Sequence, residues 1–289
     1  NIANIVRHSV EIGLLALVMT PIVLTAGIDL SVGSTLGLCA VLFGILWRDA
    51  GLPPWLAGLL TVGIGAFCGG FNAGLITRLR LPPLIVTLGT FSLYRGLAEA
   101  LTQGVDAFTN FPESFLFLGS GRVAGLPTQA WILATVAVAV WLWVHRTTFG
   151  RSFRAIGFSP EGARYAGLPV QRRIALVYVL AGTVAALAAL TYTARFGTAK
   201  ADAGIGYELL AVTAVVLGGT SIFGGVGSVS GTLLGVAALA VLTNGLSRVP
   251  TTMSHAAELS GLLTGALLIV TLVASALPRW LSHIRRPRD

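Results

Sequence analysis

Apolar residues gather along the chain into nine long runs, at roughly 10–27, 30–47, 54–76, 82–101, 129–144, 174–194, 207–221, 231–247 and 257–277. A helix needs about 20 largely apolar residues to cross a bilayer, and most of these runs reach or approach that length. The shorter ones fit tilted or partly re-entrant helices. Only Gly27-Ile28-Asp29 separates the first run from the second, which predicts a helix break at membrane depth or a tight hairpin. The pattern predicts an all-α, polytopic integral membrane protein with about eight to ten transmembrane helices. The membrane domain covers 1–277, interrupted by a polar loop at 145–173 and followed by a tail at 278–289.

The pattern also repeats. Leu14-Leu15-Ala16 is followed by Val32-Gly33-Ser34, and Leu209-Leu210-Ala211 by Val226-Gly227-Ser228. Each unit reads as helix, glycine-containing break, VGS and second apolar helix. Five runs lie between the two leading helices, so both units point the same way. This is a parallel internal repeat, an arrangement met in transporters.

Composition removes the alternatives to a membrane protein. The chain is 55% hydrophobic and 10% charged over 289 residues, too few charges for the shell of a soluble domain and too few for a disordered chain. The 36 glycines have no three-residue period that would suggest a fibrous repeat. The 19 basic residues, against 11 acidic ones, sort by loop. Arg78 and Arg80, the six arginines of 145–173 and the four of the tail fall on one side. Arg7, Arg48, Arg122, Arg195, Lys200 and Arg248 fall on the other, and Arg95 lies inside a run. The richer side is cytoplasmic by the positive-inside rule. The basic excess is therefore topological, and no nucleic-acid partner is expected.

Enzyme signatures are missing. Lys200 is the single lysine, so no phosphate-binding GxxxxGK[ST] loop exists, and ATP hydrolysis would need another chain. There is no HExxH, and Gly227-Ser228-Val229-Ser230-Gly231 has Val at the centre where a GxSxG elbow has its nucleophile. An intramembrane enzyme is disfavoured accordingly. His8 with Glu11, and His255 with Glu258, have i, i+3 spacing, but two ligands are too few for a metal. Cys39 and Cys68 sit inside apolar runs and are expected to be small buried hydrophobes. Glycines at small-xxx-small spacing (Gly33 and Gly37, Gly65 and Gly69, Gly70 and Gly74, then Gly227, Gly231 and Gly235) predict close helix packing, within one subunit or across a dimer.

In the loop 145–173, the stretch Ser159–Pro169 is punctuated as one short helix. Ser159 suits the N-cap, Pro160 the first position, and Glu161 the positive end of the dipole. Gly167 suits the C′ position and Pro169 forbids continuation. A helix this short persists only when something packs on it, either the membrane body or a separate cytoplasmic protein.

Three ordered motifs then resemble a known family. Gly27-Ile28-Asp29-Leu30-Ser31-Val32-Gly33-Ser34 is similar to the GIDLSVGS signature of sugar-type ABC importer permeases, those for ribose, rhamnose and a related sugar-derived autoinducer. Gly150–Gly157 with Gly162-Ala163-Arg164-Tyr165-Ala166-Gly167 resembles their cytoplasmic loop that docks into the ATPase, and Val216–Gly227 their second glycine-rich segment. The family usually has one more N-terminal helix, so the resemblance implies a helix before Asn1. It further implies a monosaccharide importer of the bacterial inner membrane, with rhamnose or the autoinducer favoured over ribose by general similarity. Its partners would be an ABC ATPase, a periplasmic or extracellular sugar-binding protein and a second permease subunit, homo- or heterodimeric. The chain itself would carry no cofactor, ATP and magnesium being held by the ATPase. Ser159, Pro160, Glu161, Gly162, Ala163, Arg164 and Gly167 would be the ATPase-coupling residues.

Polar groups in or beside the runs are candidates for the translocation path: Asp29, Ser31, Asn72, Thr90, Tyr207 and Asn244. Each also has a structural explanation. Asp29 could cap the helix starting at Leu30, Glu208 suits a helix N-terminus, and Arg95 could pair with Glu99 four residues on. The competing function is a secondary transporter of a small polar solute driven by an ion gradient, which would need an essential acidic residue and no cytoplasmic partner.

Overall fold

The computed structural model describes residues 2–104 and 107–246, with residues 262, 265–267, 269, 270 and 273 beyond them. Apart from those positions, the ninth run at 257–277 lies outside the described residues, as do Arg248, His255, Glu258 and the basic tail 278–289. Eleven helices are described: α1 (Ile2–Leu24), α2 (Val32–Gly44), α3 (Pro54–Thr77), α4 (Pro83–Leu101), α5 (Glu113–Ser120), α6 (Thr128–Arg146), α7 (Thr148–Phe158), α8 (Pro160–Tyr165), α9 (Val170–Phe196), α10 (Tyr207–Leu217) and α11 (Val229–Leu246). A π-helical turn, Ile45–Asp49, extends α2, and a small antiparallel hairpin joins β1 (Arg122–Val123) to β2 (Leu126–Pro127).

Among the described residues, five helices are long and apolar enough to cross a membrane: α2 with its π turn, α3, α4, α6 and α9; shorter apolar helices cover Ser9–Leu24, Tyr207–Leu217 and Val229–Gly245. Together they account for the first eight predicted spans. α1 is the centre of the bundle. Leu14, Leu15, Leu17, Met19 and Ile22 are fully buried, because α6, α7, α9, α10 and α11 all pack around it. The outer faces of α3 and α4 show Trp55, Phe67 and Ile85 to the surroundings, as lipid-facing helices do.

Lipid tails are as apolar as leucine, so close contact and interhelical hydrogen bonds hold the bundle together. α3 and α9 form its most extensive pairing. A Cβ added at Gly182 of α9 would lie 2.7 Å from the Gly69 nitrogen, inside the backbone of α3. Gly65 and Gly69 therefore serve packing within the subunit, as Gly33 and Gly37 do against the segment 201–204, and Gly231 and Gly235 against α10. Gly70 and Gly74 differ, since no side chain or backbone crowds Gly74. Gly227, at φ 156, belongs to a break and not to the helix with Gly231. Between α1 and α11, the Thr20 and Thr232 hydroxyls share a hydrogen bond of 2.7 Å. Cys39 and Cys68 are buried and unbridged.

Both repeat units are broken. α1 and α2 scarcely touch each other, because α9 packs against both. The junction is thus a break through 25–31 and not a tight hairpin. In the second unit α10 has only 11 residues, about 16 Å of helix, and cannot cross a bilayer alone. The predicted span 207–221 is corrected accordingly: the chain descends through 198–206, forms α10, and breaks again at Gly218–Ser228. Gly218 and Gly219, the latter at φ 84, stop the helix.

Arg7, Arg48 and Arg195 make their contacts at the end of the bundle that the loops predict to face outward. At the outer end the Arg7 guanidinium donates to the Ser120 carbonyl at 3.1 Å, and Arg195 pairs with the fully buried Glu11 at 3.1 Å. Arg48 lies over the Phe108 ring at 4.1 Å. At the other end, α7 and α8 carry the arginines of the polar loop. α7 has no counterpart in the sequence reading of that loop, but α8 is the helix expected there. The Ser159 hydroxyl accepts the Gly162 N–H at 3.0 Å, Gly167 has φ 80, and the Leu168 N–H returns to the Ala163 carbonyl at 3.0 Å. Replacing Ser159 by Ala removes that cap at about 1 kcal/mol. Amide exchange at Gly162 is then expected to rise by about fivefold; a rise below roughly twofold would show that the hydroxyl does not hold the turn.

Candidate functional site

The first break builds a buried polar cluster. Asp29 Oδ1 accepts the Ser31 backbone N–H at 2.9 Å and the Ser31 hydroxyl at 2.6 Å. The carboxylate thus closes the turn before α2, which starts at Val32 and not at Leu30. The Asn72 side-chain amide, reaching in from α3, donates to the Ser31 hydroxyl at 2.8 Å. From α4 the Thr87 hydroxyl donates to the Ile28 carbonyl at 3.2 Å. Tyr178 of α9 completes the group, since a Cβ at Gly27 would sit 2.7 Å from its hydroxyl. Asn72 Oδ1 and the Tyr178 hydroxyl are buried without a hydrogen-bond partner among the described residues.

Of the six sequence candidates, Asp29, Ser31 and Asn72 therefore come together. Thr90 is buried one turn along α4 from Thr87 and bonds back to Val86 of its own helix at 3.1 Å. Tyr207 is half-buried at the start of α10, edge-on to Tyr192. Asn244 is half-buried near the end of α11. Tyr178 was missed because a lone tyrosine in a long apolar helix carries no pattern of its own.

The second cluster lies further out and centres on Arg95. Its Nη1 donates to the carbonyls of Ala201 and Ala203, the latter at 3.0 Å, and its Nη2 to the Gly33 carbonyl at 3.4 Å. The expected Arg95–Glu99 pair is not formed. A guanidinium offers five donors in a fixed fork, and the Ala201 and Ala203 carbonyls of the segment leading into α10 have no other backbone donor among the described residues. Turning outward to the exposed Glu99 would leave them unmet. Glu208 stands at the start of α10, as expected, with Oε1 accepting the Gly206 N–H at 3.1 Å. Its Oε2 is buried, without a hydrogen bond, against Gly33. Arg95 thus fastens the start of α2 to the segment leading into α10, one element from each repeat.

The third assembly is where α7 meets both breaks. The Gly225 N–H donates to the Leu24 carbonyl at 3.0 Å, so the end of α1 touches the glycine-rich break of the second unit. Gly157, near the end of α7, lies against both partners of that bond. The Phe158 ring lies 2.9–3.0 Å from where a Cβ on Gly225 would be. The Val229 N–H donates to His145 Nε2 at 3.2 Å, tying α11 to the end of α6. α8 follows directly. Its Ala163 packs with Ile156 and Val170, while Glu161 and Arg164 are exposed and Tyr165 is 93% exposed. The inner face of α8 rests on the membrane body, and its outer face is bare. Sequence reading placed α8 but missed the Gly157 contact, because a glycine in GxxxxxxG spacing does not say what approaches it.

Comparison with known proteins gives this arrangement a context. Residues 1–272 match the family model described as branched-chain amino acid transport system / permease component. The Autoinducer 2 import system permease protein LsrD of Escherichia coli K12 is 41% identical over 269 residues, covering 91% of this chain and 79% of the relative. LsrD of Shigella flexneri shows the same identity and coverage, and LsrD of Escherichia coli O157:H7 is 40% identical over the same length. No solved structure matches the chain. ABC importer permeases are transport components and not enzymes, and they work with an ATPase and a substrate-binding protein. With its apolar helices and broken repeats, the chain belongs to this branched-chain amino acid transport system permease family, as a sugar-type, multi-pass inner-membrane subunit of an ABC importer.

Proposed function

We propose that the chain forms the translocation pathway of an ATP-driven importer for autoinducer 2 or a related monosaccharide such as rhamnose or ribose. The observation that carries this is the 41% identity to an autoinducer 2 permease across 91% of the chain. A second permease subunit would complete the pathway, a periplasmic sugar-binding protein would deliver the sugar, and ATP with magnesium would be held by the ATPase. Asp29, Ser31, Asn72, Thr90, Tyr207 and Asn244 are proposed to meet the sugar along its path, since hydroxyls, amides and a carboxylate can match its hydroxyl groups.

The coupling chemistry follows from exposed and buried faces. The bare face of α8, with Glu161, Arg164 and Tyr165, is the proposed ATPase contact. Ser159, Pro160, Gly162, Ala163 and Gly167 give that face its shape. A push on α8 passes through Ala163 and Ile156 into α7, and Gly157 delivers it where the two breaks touch. Helix ends that meet at one bond have two discrete arrangements, bond kept or bond broken, which suits rigid-body switching.

The test is a charge exchange on α8 in vesicles reconstituted with the ATPase. Glu161→Arg combined with Arg164→Glu is expected to weaken ATPase association and ATP-driven uptake by at least about fivefold, a cost of about 1 kcal/mol. Unchanged association and uptake would remove α8 as the contact. Uptake that survives without ATP and collapses with the proton gradient would instead favour an ion-driven transporter.

A further inference from the structure

The outer end carries a polar cavity that neither the repeat nor the coupling helix explains. It lies between the end of α4 and the segment 198–206, has a volume of about 390 Å³, and is lined by Glu99, Thr102, Ala107, Lys200, Ala201 and Asp202, among others. Clefts of this size are in the range that takes small ligands. One wall is the segment fastened by Arg95, because Ala201 lines the cavity and gives its carbonyl to that guanidinium. Around the rim the charged ends of Glu99, Lys200 and Asp202 are exposed, and none of the three forms a hydrogen bond or ion pair among the described residues. Thr102 is buried and turns its hydroxyl to its own helix at 2.9 Å.

The charge pattern selects the ligand. An anion would face two carboxylates, and a cation would face the Lys200 ammonium. A neutral polyhydroxyl compound satisfies both signs at once, with hydroxyl hydrogens donated to Glu99 and Asp202 and a hydroxyl or ring oxygen accepting from Lys200. We infer that this cavity is an outer acceptance subsite for a neutral monosaccharide-sized polyol, in which Glu99, Lys200 and Asp202 are the recognising groups. The inference rests on the transport reading above and adds the place where sugar first meets the permease. Sugar seated there lies directly on the segment that Arg95 holds shut, so binding and opening share one piece of backbone.

The experiment uses the permease assembled in vesicles with its ATPase, the second permease subunit and the sugar-binding protein. The two native cysteines are buried, so in an Ala107→Cys variant a membrane-impermeant maleimide applied outside labels the permease at the cavity alone. Autoinducer 2, rhamnose and ribose are tested both for ATP-driven uptake and for protection of that thiol. A sugar that is taken up is expected to slow labelling by at least about fivefold at saturation. Adding Glu99→Gln and Asp202→Asn is expected to raise the half-protecting concentration about tenfold. Glu113→Gln, on the exposed side of α5 outside the cavity, should leave it unchanged. Uptake of a sugar that gives no protection, or protection indifferent to the double substitution, overturns the subsite while the transport reading stands. Absence of ATP-driven uptake for all three sugars overturns the transport reading and the subsite with it.

Discussion

Replacing Arg95 by Met is expected to lower ATP-driven uptake by about a hundredfold. In the native protein one guanidinium serves the carbonyls of Ala201, Ala203 and Gly33, with Glu208 against the same glycine. A methionine keeps much of the length but donates nothing. Hydrogen bonds to a charged group contribute about 1.5–3 kcal/mol each, and removing one member of a buried charged group costs about 3–5 kcal/mol. At about 1.4 kcal/mol per tenfold, a loss near 3 kcal/mol is already a hundredfold. Arg95→Lys is expected to fall between, because a point-like ammonium lacks the fork that spans two elements. A double substitution, Arg95→Met with Glu208→Gln, should recover part of the loss, since the amide no longer leaves an uncompensated charge against Gly33. Uptake by the Met variant at the native rate would show that the segment 198–206 is held by other contacts. A double-variant loss equal to the sum of the Arg95→Met and Glu208→Gln losses measured singly would show that Glu208 and Arg95 act independently.

Much of this architecture was legible before any coordinates. Long apolar runs, GIDLSVGS and the LLA–break–VGS units placed most of the spans and the two breaks. The caps of α8 were written locally as Ser159, Pro160 and Gly167, and they formed as written. What stayed hidden depends on partners far apart in the chain. Arg95 and Glu99 are neighbours on a helix face, so sequence pairs them. The carbonyls that win the guanidinium lie more than 100 residues away, as Ala201 and Ala203. Hydropathy likewise sees 207–221 as one run and cannot tell a half-length helix fed by a descending segment from a full span. The same limit applies to glycine. Gly65 and Gly74 read alike along α3, yet one is locked into α9 and the other meets nothing.

The Gly157 contact yields the sharpest functional expectation. Gly157→Ala adds one methyl group, but it adds it where the Leu24 carbonyl and the Gly225 N–H form a bond that joins the two breaks. Neither partner is the end of a flexible side chain, so α7 must retreat or that bond must open. Overpacking of this kind costs about 1–3 kcal/mol, and 2 kcal/mol corresponds to about thirtyfold. The outer face of α8 is untouched, so the ATPase is expected to bind the variant as it binds the native chain. ATP hydrolysis should therefore continue while sugar uptake per ATP falls about thirtyfold. Gly74→Ala, at a position with open space around it, should transport normally and serves as the control. The measurement is the ratio of sugar imported to ATP hydrolysed in the same vesicles. A ratio unchanged in Gly157→Ala would mean that force from α8 reaches the breaks by another route, through Arg154 to the Gly227 carbonyl or through His145 to Val229. Loss of ATPase binding together with uptake would mean that Gly157 shapes the docking surface itself and does not transmit from it.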